Sequence, residues 1–226
     1  MNFDDVLMKY KYAEAKKFIE AFSYYIRLPR RLLDIGCGDG QFLYLVGKDL
    51  KAFELHGIDV DFEKLKIADC HPEASYHYAE FEEWDTDLQF GYITAFNVLE
   101  HIEDDHEFLL HCHRLLHKGG RLIVTVPNAM AFHKRIGKLM GLTKPYQLTQ
   151  SDLEKGHKRN YDIGYLTGIV GNAGFNIIRQ DGIFFKPLPS EMLMEHYDPK
   201  LFDALYEMGK DFPDMCSSIM VVGEKR

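Results

Sequence analysis

An α/β fold, with a mostly parallel seven-stranded sheet and helices on both faces, is the class this sequence predicts, and three observations carry the prediction. The first is the run Leu32-Leu33-Asp34-Ile35-Gly36-Cys37-Gly38-Asp39-Gly40. It reads as a short buried strand entering a turn with glycine at alternate positions, where a Cβ would hold a ligand away from main-chain N–H groups. The second is a further strand-like run over 53–58 that ends in Asp59, 23 positions after Gly36. An acid at that place, at the tip of the neighbouring strand, is where such a sheet grips ribose hydroxyls. The third is the alternation of apolar strands with amphipathic helices that follows, which means a parallel sheet covered on both faces.

In order, residues 12–26 carry Phe18, Phe22, Tyr25 and Ile26 at helical spacing, with Leu28-Pro29 as the stop. The first strand and glycine turn follow, then a helix with Phe42, Leu43, Leu45 and Val46 on one face. After the second strand comes a helix over 61–70 with Asp61 near its N-cap. Strands are expected at 76–79 and 91–96, the latter leading into a loop over 97–102. Asp104, with Glu107 three residues on, starts a helix whose buried face holds Phe108, Leu109, Cys112, Leu115 and Leu116. Gly119-Gly120 is expected to end it before a strand over 121–126, cut off by Pro127. A helix over 165–173, a strand over 174–185 and a last strand over 217–222 complete the set. The two segments that break the pattern, 128–162 and 186–215, read as insertions covering the ligand crevice within a single domain, 1–226. Met130, Ile136, Leu139 and Met140 share a helical face in the first, and 199–210 is helical in the second.

A hydrophobic share of 46% and a charged share of 27% suit a soluble globular protein. The net charge of −8 argues against a nucleic-acid partner, which needs phosphates neutralised. The charge is uneven: residues 128–162 hold seven bases against three acids. Cys37, Cys70, Cys112 and Cys216 have no metal or disulfide spacing, which suits a reducing cytoplasm. The opening Met1-Asn2-Phe3-Asp4-Asp5 has no basic leader, and no apolar run is long enough to span a membrane. Both a monomer and a homodimer are compatible with the sequence. A nicotinamide dehydrogenase is disfavoured, since Gln41 stands where the dinucleotide fingerprint has its third glycine.

Asp34-Ile-Gly-Cys-Gly-Asp-Gly40, Gly57-Ile-Asp59, Val98-Leu-Glu-His-Ile102 and Lys118-Gly-Gly-Arg-Leu122 resemble, in order, the motifs of class I S-adenosylmethionine (SAM) dependent methyltransferases. Within that Rossmann-like family the chain is similar to the small-molecule, ubiquinone-biosynthesis O-methyltransferase type, over roughly residues 30–127. The resemblance implies SAM as donor and S-adenosylhomocysteine as product. It places Gly36, Cys37, Gly38 and Gly40 against the methionine part and ribose, with Asp34 supporting the turn. Asp59 then accepts from the ribose hydroxyls, Val60 and Glu80-Phe81 lie by the adenine, and Asn97 lies under the methionine end. It also implies that the last two strands pair antiparallel at the sheet edge.

Methyl transfer needs an in-line acceptor, a dry site and removal of a proton from a neutral nucleophile. His157, in Gly156-His-Lys-Arg-Asn-Tyr161, is the first candidate base, ahead of His101 and Glu100. Lys158 and Arg159, with Tyr161 beside them, are candidate acceptor-binding residues because they can hold a carboxylate or phosphate. In ubiquinone-type relatives an acid precedes the Glu-His pair and a magnesium ion is associated with it. Here that acid is Asn97, so no metal is expected, although magnesium remains an alternative. His113 and His117 have metal-type i, i+4 spacing but no third ligand, and read as surface residues. Tyr10, Tyr12 and Tyr146 are candidates to line the pocket. The function expected is methylation of an oxygen on an anionic small molecule: a phosphorylated, phosphonate-like or carboxylated metabolite, or a nucleotide-linked sugar. Two alternatives stand beside it. One is a membrane-associated quinone-type O-methyltransferase that docks through the amphipathic 130–142 run. The other is a SAM-binding module without catalysis.

Overall fold

The structure, a computed structural model, describes residues 3–23, 30–69, 73–144 and 146–226. The expected helix residues Tyr25 and Ile26, the stop at Leu28-Pro29, and Cys70 lie outside these residues. Seven strands form one sheet: β1 (Arg31–Ile35), β2 (Glu54–Asp59), β3 (Ala74–Tyr78), β4 (Phe90–Phe96), β5 (Leu116–Pro127), β6 (Phe175–Phe185) and β7 (Cys216–Lys225). Their order is β3-β2-β1-β4-β5-β7-β6. The first five are parallel, and β7 runs antiparallel to both β5 and β6. The expected edge hairpin is therefore present.

Period-two alternation divides the core. Leu32, Tyr92, Ile123, Met220 and Val222 join one buried cluster, whereas Leu33, Ile93, Val124, Ile219 and Val221 join the other. The first cluster takes Leu7, Ala15 and Ile19 from α1 (Phe3–Ser23), Phe42, Leu43 and Val46 from α2 (Gln41–Asp49), and Leu65 from α3 (Phe62–Ala68). The second takes Phe108, Leu109 and Cys112 from α4 (Asp105–Leu115). Helix α1 starts earlier than the sequence reading has it, because Val6, Leu7 and Tyr10 extend the apolar stripe, and Asp4 and Asp5 favour its N-terminus.

Gly119-Gly120 does not end α4, as the spacing suggested. The helix stops at Leu115, and Leu116 already pairs with Phe90. The glycines make an irregularity inside β5: Gly119 has φ 77°, and a Cβ on Gly120 would lie 2.8 Å from the His117 carbonyl oxygen. His117 is thus a strand residue and not the helical partner of His113.

Between β5 and β6 the chain forms α5 (Phe132–Leu139), α6 (Gln150–Glu154) and α7 (Ile163–Asn172). Between β6 and β7 it forms α8 (Ser190–Glu195), α9 (Pro199–Gly209) and a short 3-10 turn at 213–215. The second segment binds α1: Tyr10 donates to Asp203 and stacks on Tyr206, and Tyr206 bonds Glu14. Tyr12 meanwhile donates to Asp49 on α2. Tyr10 and Tyr12 therefore serve helix packing and do not line the crevice as expected, while Tyr146 donates to Asp162.

Gly182 of β6 sits against the backbone of the 213–215 turn, where a Cβ would lie 2.1 Å from the Pro213 carbonyl oxygen. A rotamer change cannot relieve a contact with main chain. Gly182→Ala should lower the urea-unfolding free energy by about 1–3 kcal/mol or more.

Candidate functional site

The C-terminal ends of β1, β2, β3 and β4 bring Gly36, Asp59, Glu80 and Asn97 to one side of the sheet, where ligands of parallel sheets sit. The glycine turn after β1 is tied to its neighbour at two places. Gly36 and Cys37 donate to the Ile58 carbonyl at 2.8 and 3.1 Å. Gly38 N–H then donates to Asp59 Oδ2 at 2.7 Å, while Asp61 N–H donates to Oδ1 at 2.8 Å. Gly36, Gly38 and Gly40 have φ of 68°, 55° and 75°, a region costly for other residues. Space is equally restrictive: a Cβ on Gly36 would meet Val98 Cγ2 at 2.5 Å, and one on Gly40 would meet the Tyr76 hydroxyl at 2.5 Å. Cys37 is buried in the core.

Val60 is 54% exposed beside Asp59, and Glu80 is exposed at the end of β3. Phe81 corrects the expectation of an adenine contact: its ring is buried between Phe108 and His111. Asn97 has φ 57°, and its buried Oδ1 has no hydrogen-bond partner among the described residues.

Asp34 lies beneath the turn, with its Oδ1 2.6 Å from Thr94 Oγ1. Burial pushes its carboxyl up to about 7; the Thr94 bond opposes this and the Asp59 charge adds to it.

A crevice of about 740 Å³ opens alongside. Phe3, Asp4 and Leu7 of α1 form one wall. Asn97, Glu100, His101 and His157 line it together with Lys134, Lys155 and Lys186. Glu100 is 1% exposed, and neither carboxylate oxygen has a hydrogen-bond partner among the described residues. Burial raises its pKa to about 7, against the pull of Lys11 and Lys134. The His101 and His157 rings stand edge to face at 4.9 Å, and both are held below the ordinary histidine range, chiefly by burial. His157 Nδ1 lies 3.5 Å from Asp152 Oδ1. One ligand atom each from Glu100, His101 and His157 falls within 4.8 Å of the others. The expectation of no metal rested on Asn97 alone; the chain also brings His157 to this point, 56 residues from His101.

Lys158, Arg159 and Tyr161 do not face the crevice, which corrects their expected acceptor-binding role. Lys158 pairs with Glu103, and Arg159 with Asp105 at 2.7 Å. Tyr161 is fully buried, donating to Asp105 Oδ2 at 3.0 Å and lying 3.2 Å from the Leu99 carbonyl. Acids at the start of α4 capture these groups, so they fasten the 156–162 loop to the loop after β4.

Lys11 and Lys186 were missed. Lys11, 4% exposed, interrupts the stripe Leu7, Lys11, Ala15 at i, i+4 spacing, a sequence signal of a buried charge. Burial lowers its pKa to about 8 against the Glu100 and Asp4 charges. Burial likewise lowers Lys186 to about 8, opposed by Glu191, and its Nζ donates to Ser190 Oγ at 2.7 Å.

Residues 8–180 match a family model described as a methyltransferase domain. The chain belongs to the class I SAM-dependent methyltransferases. This family member is 27% identical over 160 residues to a probable SAM-dependent methyltransferase of Mycolicibacterium smegmatis, covering 69% of the chain and 55% of that protein. It is 34% identical over 106 residues to a ubiquinone biosynthesis O-methyltransferase of Alkalilimnicola ehrlichii, covering 44% and 42%. It thus spans about half the length of these curated relatives. A SAM-dependent methyltransferase structure from Mesorhizobium loti superposes with a TM-score of 0.62 at 16% identity, over 86% of this chain and 90% of that one. That likeness concerns the fold.

Because the folded pKa of Asp34 is raised, the native state holds an extra proton between the unfolded value near 4 and about 7. Its contribution is therefore greatest below pH 4 and is lost as pH rises through 7. Asp34→Asn, which keeps an oxygen for Thr94, should gain stability relative to wild type by at least about 1 kcal/mol between pH 4 and pH 8 in chemical denaturation.

Proposed function

We propose that the chain, acting as one domain with 128–162 and 186–215 as its covering segments, transfers the methyl group of SAM to an oxygen of an anionic small molecule. The glycine turn fits SAM: Gly38 is open, with no atom nearer than Lys64 Cδ at 3.8 Å from where a Cβ would stand, and Asn97 Oδ1 is an unpartnered acceptor at the methionine end. When bound, SAM supplies an electrophilic methyl on sulfonium, so the chain needs no nucleophile of its own. Asp59 holds the ribose hydroxyls, with Val60 and Glu80 by the adenine. The new bond is acceptor oxygen to methyl carbon; the sulfur–methyl bond breaks with its electron pair on sulfur, leaving S-adenosylhomocysteine. The acceptor's proton passes to the crevice wall, where Glu100, His101 and His157 offer proton-accepting atoms.

The observation that carries the anionic acceptor is the set Lys134, Lys155 and Lys186. All three line the crevice, and none forms an ion pair among the described residues. A phosphate, phosphonate or carboxylate, on a metabolite or a nucleotide-linked sugar, meets that charge. Calorimetry and steady-state kinetics test the reading. Asp59→Ala should weaken S-adenosylhomocysteine binding by roughly 10- to 100-fold, as expected for lost charge-assisted bonds. Lys134→Ala should raise the KM of an anionic acceptor and leave S-adenosylhomocysteine affinity unchanged. Cofactor binding with no product across an anionic acceptor panel would favour the non-catalytic module, and no cofactor binding by wild type would overturn the reading.

A second reading has its own observation. Leu139, Met140 and Leu142 are 87%, 66% and 71% exposed beside Lys138 and Lys144, an arrangement that suits docking on an anionic membrane by a quinone-type enzyme. The chain should then co-sediment with phosphatidylserine vesicles in moderate salt, and Leu139→Ser with Leu142→Ser should abolish it. Absence of wild-type co-sedimentation would sink this reading.

A further inference from the structure

The metal associated with ubiquinone-type relatives, magnesium, does not fit this chain. Magnesium requires hard oxygen ligands in near-octahedral array. Here the neutral amide of Asn97 stands where those relatives have an acid, and the converging donors are two imidazoles and a single carboxylate. We propose instead that Glu100, His101 and His157 form a three-ligand site for a borderline divalent cation of the zinc type, open toward the crevice.

Four observations carry this. Donor type comes first, since imidazole with one carboxylate suits zinc-class ions. Spacing comes second. With the three donor atoms within 4.8 Å of one another, inward movement of less than about 1 Å completes bonds of roughly 2.0–2.2 Å.

The third is orientation. Metal-binding histidines have their second nitrogen held by a carboxylate or carbonyl. His157 Nδ1 faces Asp152 Oδ1 at 3.5 Å, and His101 Nδ1 lies on the Gly156 side, 3.7 Å from where a Cβ on that glycine would stand. Each ring thus turns one nitrogen toward the 152–156 segment. The main chain is held as well, as Lys158 N–H donates to the Glu100 carbonyl at 2.7 Å.

The fourth is unmet demand. A carboxylate 1% exposed with neither oxygen hydrogen-bonded is costly. Lys11 and Lys134 supply positive charge nearby, but neither reaches a hydrogen bond. An ion at the centre of the three donors would satisfy Glu100 directly. Its open positions would face the crevice, where an ion would polarise a coordinated hydroxyl and so replace the three donors as the means of easing its deprotonation. That last role rests on the acceptor reading above; the site itself does not.

Untagged full chain, stripped with chelator and dialysed, is titrated with Co²⁺ under visible spectroscopy, and S-adenosylhomocysteine binding is measured on the same samples. The expected result is ligand-field bands saturating at about one Co²⁺ per chain, bleached by stoichiometric Zn²⁺ and unaffected by millimolar Mg²⁺. His157→Ala and Glu100→Gln should lose the bands while still binding S-adenosylhomocysteine, which shows them folded. Asp152→Asn should weaken Co²⁺ affinity on the order of 10- to 100-fold. Absence of bands in wild type, bands surviving in His157→Ala, or displacement by Mg²⁺ would overturn the proposal. Cofactor binding without Co²⁺ uptake sinks the ion site and leaves the methyltransferase reading; the converse sinks that reading and leaves the site.

Discussion

One buried junction holds the loop that brings His157 to the crevice. Asp105, at the start of α4, accepts from both Arg159 and Tyr161, and Tyr161 also reaches the Leu99 carbonyl. The Ala129 N–H donates to the Tyr161 carbonyl at 2.7 Å, so the same residue anchors the segment leaving β5. A charged pair closed in this way, with its aromatic partner fully buried, leaves the loop one register. That register sets His157 beside His101 and over Glu100. Arg159 and Tyr161, whose types suggested ligand binding, thus hold the loop that carries His157.

The crevice mixes charges of both signs. Glu100 and two imidazoles line it together with Lys134, Lys155 and Lys186, and Lys11 and Lys134 oppose the effect of burial on Glu100. Helix α1, which gives Phe3, Asp4 and Leu7 to the crevice wall, is fastened to α9 by Tyr10, Tyr206 and Asp203.

The parallel part of the fold was legible because local and global preferences agree there. Leu32–Ile35, the glycines and Asp59 each admit few alternatives: an apolar strand, backbone angles that glycine favours, and an acid at a strand tip. In the covering segments the helix over 199–210 was legible, but the side-chain pairings were not, for a reason of scale. Whether Arg159 meets a ligand or Asp105 depends on residues more than 50 positions apart, and charge pattern alone is silent on which pairing forms. Phe81 misled in the same way, since a large aromatic at a strand end suits both an adenine pocket and the core beneath α4. Gly119-Gly120 misled through local signal, because glycine ends helices and also permits bulges. Lys11 is a further case: with the helix read from residue 12, its place in the apolar stripe of α1 was missed, although Leu7 and Ala15 stand four positions to either side.

The carboxylate of Asp59 has a thermodynamic consequence. Two main-chain amides, from Gly38 and Asp61, already hold its two oxygens, so its rotamer is chosen during folding. Each oxygen keeps further acceptor capacity. A ligand bonding this carboxylate would forgo the entropy loss of ordering that side chain, and would meet the turn and the acid as one preset unit.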